Sequence, residues 1–303
     1  MEVINRPDYT EKVKKLFGKG FIIALTGQRR VGKSFIMRQV IKELSQDSAA
    51  HVIYIDKDNE EFSFVQSHEE LTKYVKSNLL SNKRNYLFVD EIQNIKEFEV
   101  SLRSFHTNDE CEMVITGSNA KMLSSELSTY LSGRCVEYHI QSLDYREFLT
   151  FHRLSDNNQS LHSYLKYGGL PQLHRIGLEE TELVDDYLKS VYHTIVLKDV
   201  IEREEIRNVP LLKNLIRFVG DNVGKVFSAS SIVKYLKSQQ VDSSTRVILN
   251  YLEYLCNAYI INRVNRYDIH GKRLFELNDK FYFEDIGIRN SLVASGRSSS
   301  MEK

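Results

Sequence analysis

The sequence predicts an α/β protein: a five-stranded parallel sheet between helices, then a helical segment and a smaller C-terminal domain of helices and a hairpin. Three observations carry this. Short apolar runs recur at Phe21–Leu25, His51–Asp56, Asn85–Asp90, Glu112–Gly117 and Cys135–Ile140, with helical spacing between them, as buried parallel strands require. The first run breaks into Gly27-Gln-Arg-Arg-Val-Gly32-Lys33-Ser34, after which the apolar spacing is helical. Past residue 141 the strand signals stop, and helices dominate up to a strand–turn–strand pattern near the end.

Taken in order, residues 8–18 read as a short helix leading into the first strand. Gly27 and Gly32 allow a tight turn that brings backbone close to an anion. The N–H groups of residues 28–34 (Gln28, Arg29, Arg30, Val31, Gly32, Lys33, Ser34) and the start of the helix that continues through Phe35 then face that anion, where the helix dipole favours negative charge. Lys33 is placed for the β- and γ-phosphates and the Ser34 hydroxyl for Mg²⁺. A strand before the glycines and a helix after them mark a nucleoside-triphosphate site rather than a chance turn. Helices are expected over 67–80, 96–106 and 120–131. Right-handed crossovers bring every strand's C-terminal end to one edge, where ligands bind.

The acids at that edge divide the work. Asp90 ends a buried strand and is read as the Mg²⁺ ligand; Glu91 points elsewhere and is read as the general base for the attacking water. Ser118 and Asn119 close the next strand. Either they hydrogen-bond the γ-phosphate or the water, or they cap helix 120–131. Arg134 precedes the fifth strand. It is either a finger reaching a neighbouring subunit's γ-phosphate or a structural cation on a helix C-terminus. Arg29 and Arg30 add attraction for phosphate, although one of them can equally pair with an acid on a nearby element.

Residues 144–152, 159–167 and 182–206 are helical by pattern and form a lid interrupted by Gly168-Gly-Leu-Pro171. With the lid over 141–206 and the phosphate-binding core over 1–140, a third unit spans 207–303. Its helices 210–219, 229–237 and 245–257, followed by strands 259–267 and 274–285 about a turn at His270-Gly271, follow the winged-helix layout. Helix 245–257 buries Val247, Ile248, Tyr251, Leu252 and Leu255 and presents Arg246, Asn250, Glu253 and Tyr254. Arg263, Arg266, Lys272 and Arg273 gather on the wing, suited to phosphate. Duplex DNA is one expected partner. A protein docking surface is the other, favoured by Glu253.

Composition limits the alternatives. The 303 residues carry 41 basic and 41 acidic side chains, so any nucleic-acid surface is local. Three separated cysteines make neither a metal site nor a disulfide framework. No signal peptide or membrane-length apolar run is seen, which makes the cytoplasm the expected location and a membrane partner unexpected.

The ordered set Gly27–Ser34, Phe88-Val-Asp-Glu-Ile-Gln93, Ile115-Thr-Gly-Ser118, Leu131-Ser-Gly-Arg134 and Tyr167-Gly-Gly-Leu-Pro171 resembles a family of prokaryotic AAA-type ATPases. That family is related to the archaeal and STAND-like P-loop ATPases. Phe281–Asn290 is similar to the family's C-terminal domain of unknown function, so the likeness covers nearly the whole chain. The resemblance implies an additional-strand (ASCE) AAA-type sheet, ATP as the nucleotide, and association into a homo-oligomer. It implies adenine contact for Pro171 and a place near the base or phosphates for Arg6. Relatives usually continue into a nuclease-like fold, whereas this chain stops at Lys303, so nuclease chemistry is not expected here. The expected activity is Mg²⁺-dependent ATP hydrolysis that repositions the winged helix. The alternative is a slow nucleotide switch whose output is protein docking.

Overall fold

A computed structural model of the chain describes residues 4–120, 133–265 and 279–298. The chain divides into two compact units, Met1–Gly27 with Val31–Gln141, and Gln28–Arg30 with Ser142–Lys303.

In the first unit, β1 (Ile22–Thr26), β2 (Ala50–Asp56), β3 (Arg84–Asp90), β4 (Glu112–Gly117) and β5 (Cys135–His139) form one sheet in the order β2-β3-β4-β1-β5. Every neighbouring pair is parallel, with Asp56 beside Asp90 and Thr26 between Gly117 and His139. All five strands therefore finish on one edge. All five residues of β1 are buried, as a strand covered on both faces requires. Helices α1 (Pro7–Lys14), α2 (Lys33–Leu44), α3 (His68–Asn78) and α4 (Phe98–Thr107) supply the cover. Leu71, Val75, Phe98, Leu102 and Phe105 pack with Ile22, Ala24, Leu87, Val89 and Ile115, the residues alternate along the strands that share one face. The first helix stops at Lys14, short of the expected residue 18, and the chain turns through Gly18 and Gly20 at φ +76° and +69°. The expected helix 120–131 lies outside the described residues.

The second unit holds α5 (Tyr145–His152), α6 (Asn158–Tyr167), a single turn at Leu173–Ile176 and α7 (Thr181–Thr194). A π-helical segment, Ile195–Glu202, continues α7 where one uninterrupted α-helix over 182–206 was expected. Then come α8 (Val209–Asp221), β6 (Val226–Phe227), α9 (Ala229–Ser238), α10 (Thr245–Asn257), β7 (Ile261–Val264), β8 (Asp279–Phe283) and α11 (Ile286–Ser298). Strands β6, β8 and β7 make a small antiparallel sheet in that order.

Two of these elements escape the sequence pattern. Strand β6 has two residues, too few to show periodicity. Helix α11 begins where the strand 274–285 was expected to end, because the Asp285 carboxylate accepts the Ile288 N–H and starts a helix there. It packs on α6, α7 and α8, joining the helices after residue 142 to those after 208. The turn at His270-Gly271 and the wing residues Arg266, Lys272 and Arg273 lie outside the described residues.

Candidate functional site

The loop after β1 is shaped by close approach. Gly27 has φ +136°, and a Cβ there would stand 2.2 Å from the Ile140 carbonyl oxygen, so only glycine fits. Gly32 caps α2 in a left-handed conformation at φ +101°. Lys33, the first residue of α2, is 4% exposed; its Nζ donates to the Gly27 carbonyl at 2.9 Å and lies 4.0 Å from Glu91 Oε1. The first turn of α2 contains no acid, so its N–H groups and dipole present positive potential. Arg6, just ahead of α1, is buried and donates Nη1 to the carbonyls of Val31 and Gln141 at 3.1 and 3.0 Å, which holds the loop from its C-terminal side.

Opposite the loop, β3 and β4 bring together Asp90, Glu91, Thr116 and Ser118, all buried. The Thr116 hydroxyl donates to Asp90 Oδ1 and accepts the Glu91 N–H at 2.9 Å. Glu91 has φ +54°, a left-handed conformation rare for a side chain of its size, and this N–H bond holds it there. Its Oε2 accepts from Ser118 Oγ at 3.2 Å and from Gln93 Nε2, and Gln93 also reaches Ser118 at 3.3 Å. The Glu91 carboxylate is thereby aimed.

Burial pushes the Asp90 carboxyl above its ordinary range; hydrogen bonds from Thr116 and Ser34 oppose this, and the charges of Glu91 and Asp56 add to it. Tyr54 donates to Asp56 at 3.2 Å and to Asp90 at 3.5 Å, and Arg38 pairs with Asp56 at 3.1 Å. Burial first, then the neighbouring acids, push the Tyr54 phenol up to about 12.

These residues fit a magnesium nucleotide. The hydroxyl–carboxylate pair Ser34–Asp90 offers two hard oxygen ligands, and a cation there relieves the crowding of buried negative charge. Among the described residues no group of three His, Cys, Asp or Glu side chains can hold a metal, so an ion held by Ser34 and Asp90 would take its other ligands from phosphate and water.

The remaining expected residues divide. Gln28, Arg29 and Arg30 group with the second unit. Gln28 Nε2 donates to the Tyr259 carbonyl at 2.9 Å, and Arg29 grips Asp199. The side chain of Arg29 is thus committed to an acid rather than left for phosphate. Arg30 is exposed at φ +71°. Val31 is buried, and the Phe35 ring is 41% exposed, leaving only their backbone for an anion. Asn119 is buried beside Ser118.

Arg134 is exposed at the opposite end of the sheet: its carbonyl accepts from Ile22 N at the start of β1, roughly 15 Å along the strand from the loop. It does not approach its own chain's site. Pro171 lies in the second unit, where its carbonyl accepts from His174 Nδ1. The adjoining Gly168-Gly169 turn is explained by packing, since a Cβ on Gly169 would meet the Leu143 carbonyl at 2.2 Å. On α10, Arg246 and Glu253 are exposed and Asn250 half-buried, while Arg263 pairs with Asp279 at 2.6 Å.

Sequence reasoning quoted Thr116, Tyr54 and Gln93 within its motifs without a role and missed Asp199. A threonine two residues before Ser118, on the same strand face, was the one local signal available.

A family profile described as an AAA domain matches residues 19–149, and one described as a domain of unknown function (DUF8612) matches 158–299. An uncharacterized protein of Haemophilus influenzae is 32% identical over 96% of this chain and 74% of its own length. The uncharacterized protein MJ1544 of Methanocaldococcus jannaschii is 29% identical over 84% of this chain, which spans 58% of that relative. Among solved structures, the Walker-type ATPase paby2304 of Pyrococcus abyssi superposes with a TM-score of 0.66 at 16% identity, covering 95% of this chain and 96% of its own. That likeness is one of fold.

Proposed function

This chain belongs to the AAA-domain family, and on that premise we propose that it binds ATP with Mg²⁺ and hydrolyses it. The observation that carries the proposal is the buried constellation around Glu91: Lys33 4.0 Å away on one side, Ser118 and Gln93 fixing the carboxylate on the other. Lys33 and the N–H groups of residues 28–34 would hold the phosphates, and Ser34 with Asp90 would hold the metal. When bound, the metal would supply neutralisation of the phosphate charge. Glu91 takes a proton from the attacking water as its oxygen bonds to the γ-phosphorus; the bond to the β–γ bridging oxygen breaks, giving ADP and phosphate. Ser118 keeps Glu91 in line and senses the γ-phosphate. Arg134 serves a neighbouring copy in a homo-oligomer.

The test is Glu91→Gln against wild type. Removing the base lowers kcat by about 10²- to 10⁴-fold while leaving ATP affinity near wild type. Equal rates in the two proteins would sink the hydrolytic reading.

The output assigned to the C-terminal elements is a winged helix working in the cytoplasm on duplex DNA, with Arg246 and Asn250 on its reading helix. Their support is the order helix, short strand, helix, helix, hairpin. The second reading, a slow switch docking on protein, is favoured by Arg263, whose charge goes to Asp279, and by Tyr235 and Leu249, exposed on α9 and α10. DNA affinity that falls steeply with salt selects the first reading; salt-independent association selects the second.

A further inference from the structure

The phosphate loop carries two adjacent arginines, and the structure gives them different surroundings. Arg29 reaches Asp199 through two parallel bonds, Nε to Oδ2 at 2.6 Å and Nη2 to Oδ1 at 3.0 Å, the forked geometry that makes arginine–carboxylate pairs strong and directional. Asp199 is 1% exposed, and a second cation, Arg203, stands 3.5 Å from its Oδ1. Arg30, the next residue, is exposed.

Asp199 lies inside Ile195–Glu202, where the helix is wound as π over eight residues. π-helix is rare, is seen mostly as single-turn bulges within α-helices, and is frequent at functional sites. Each extra residue accommodated in such a segment turns the following side chains by about 100° relative to an uninterrupted α-helix, which changes the face Asp199 occupies. The loop tip has a second tether in Gln28, whose amide donates to the Tyr259 carbonyl. Tyr259 is itself in a left-handed conformation at φ +53°.

We propose that Asp199 is a positioning residue for the nucleotide's phosphates. Acting through Arg29, it holds the backbone of residues 28–30 in the conformation whose N–H groups receive phosphate. It also keeps the Arg29 charge out of the phosphate site, which leaves Arg30 as the loop arginine that answers to the nucleotide. This rests on the reading of the loop as a triphosphate site. The effect is on binding: ATP and ADP share the β-phosphate that the loop cradles, so both weaken together when the pair is broken, and the hydrolytic step is little changed.

The experiment measures the Kd of fluorescent ATP and ADP analogues with Mg²⁺, and kcat at saturating ATP, on the full chain. It compares wild type with Asp199→Asn, Arg29→Ala, Arg29→Lys and the double variant R29A/D199N, each with its melting temperature. Losing the charged pair is expected to raise both Kd values by about 10- to 100-fold. Arg29→Lys, which keeps the charge and loses the fork, falls between. The double variant is no worse than the poorer single one, because each change removes the same interaction. Arg29 is in a loop, so Arg29→Ala remains informative if Asp199→Asn fails to fold. Unchanged Kd values in folded variants overturn the proposal, as do tighter binding, which would make the pair a restraint, and effects that simply add. A wild type that binds neither nucleotide sinks the triphosphate reading and this proposal with it; a wild type that binds beside variants that bind equally sinks this proposal alone.

Discussion

Thr116 stands between the two carboxylates, donating to Asp90 and accepting from the Glu91 backbone. Thr116→Val keeps the shape and removes both bonds, leaving a buried N–H and a buried carboxylate oxygen short of a partner. It is expected to cost about 1–3 kcal/mol in urea unfolding and to lower the ATPase rate, with Thr116→Ser restoring both. Two half-buried thiols have a packing role. Burial pushes the thiols of Cys111 and Cys135 up to about 12, so they pack as apolar groups and stay protonated. His152 is a titrating case: its ring lies 4.3 Å from that of Phe148, and burial, aided by His174, pushes its pKa down to about 4. The unfolded chain takes that proton near pH 6.5, while the fold refuses it until about pH 4. The contribution of neutral His152 is therefore complete above 6.5 and is lost as pH falls through that window. Urea melts at pH 7.5 and 5 should show a drop that His152→Phe reduces.

At the scale of elements, one carboxylate organises the join between α6 and α11. Asp285 accepts the Gly169 N–H at 2.8 Å and the Ile288 N–H at 3.0 Å, capping α11 and closing the Gly168-Gly169 turn at once. Those glycines are required by space: a Cβ on Gly169 meets backbone at 2.2 Å, and one on Gly287 meets the Tyr167 carbonyl at 1.9 Å. Gly169→Ala is expected to destabilise by about 1–3 kcal/mol or more through overpacking against backbone that cannot yield. Gly20→Ala is the control, with φ +69° and nothing within 4 Å of its would-be Cβ; it costs only the strain of a left-handed alanine, about 1–2 kcal/mol. Thermal melts that rank Gly20→Ala as the worse variant would contradict this assignment.

For the whole molecule, a nucleotide that binds only the folded chain must stabilise it. MgATP at about 100 times its Kd is expected to add about 2.7 kcal/mol, read as a rise in melting temperature that Lys33→Ala abolishes. None of the described helices is long and apolar enough to cross a membrane. By itself the sequence determined the five strands, the phosphate loop and the pairing of Asp90 with Glu91 in one motif. Periodicity and residue type within about ten positions encode these, because strand burial and glycine turns are local demands. It did not determine what holds those residues in place. Thr116 meets Asp90 across 26 positions and Arg29 meets Asp199 across 170, and no spacing rule in a single chain links partners that far apart. The π winding that carries Asp199 and the helix that begins at Asp285 were equally invisible, since both depend on contacts made only after the chain has folded. Tertiary structure decided which loop arginine is committed to an acid, because a buried carboxylate selects its cation by reach and geometry, not by order along the chain.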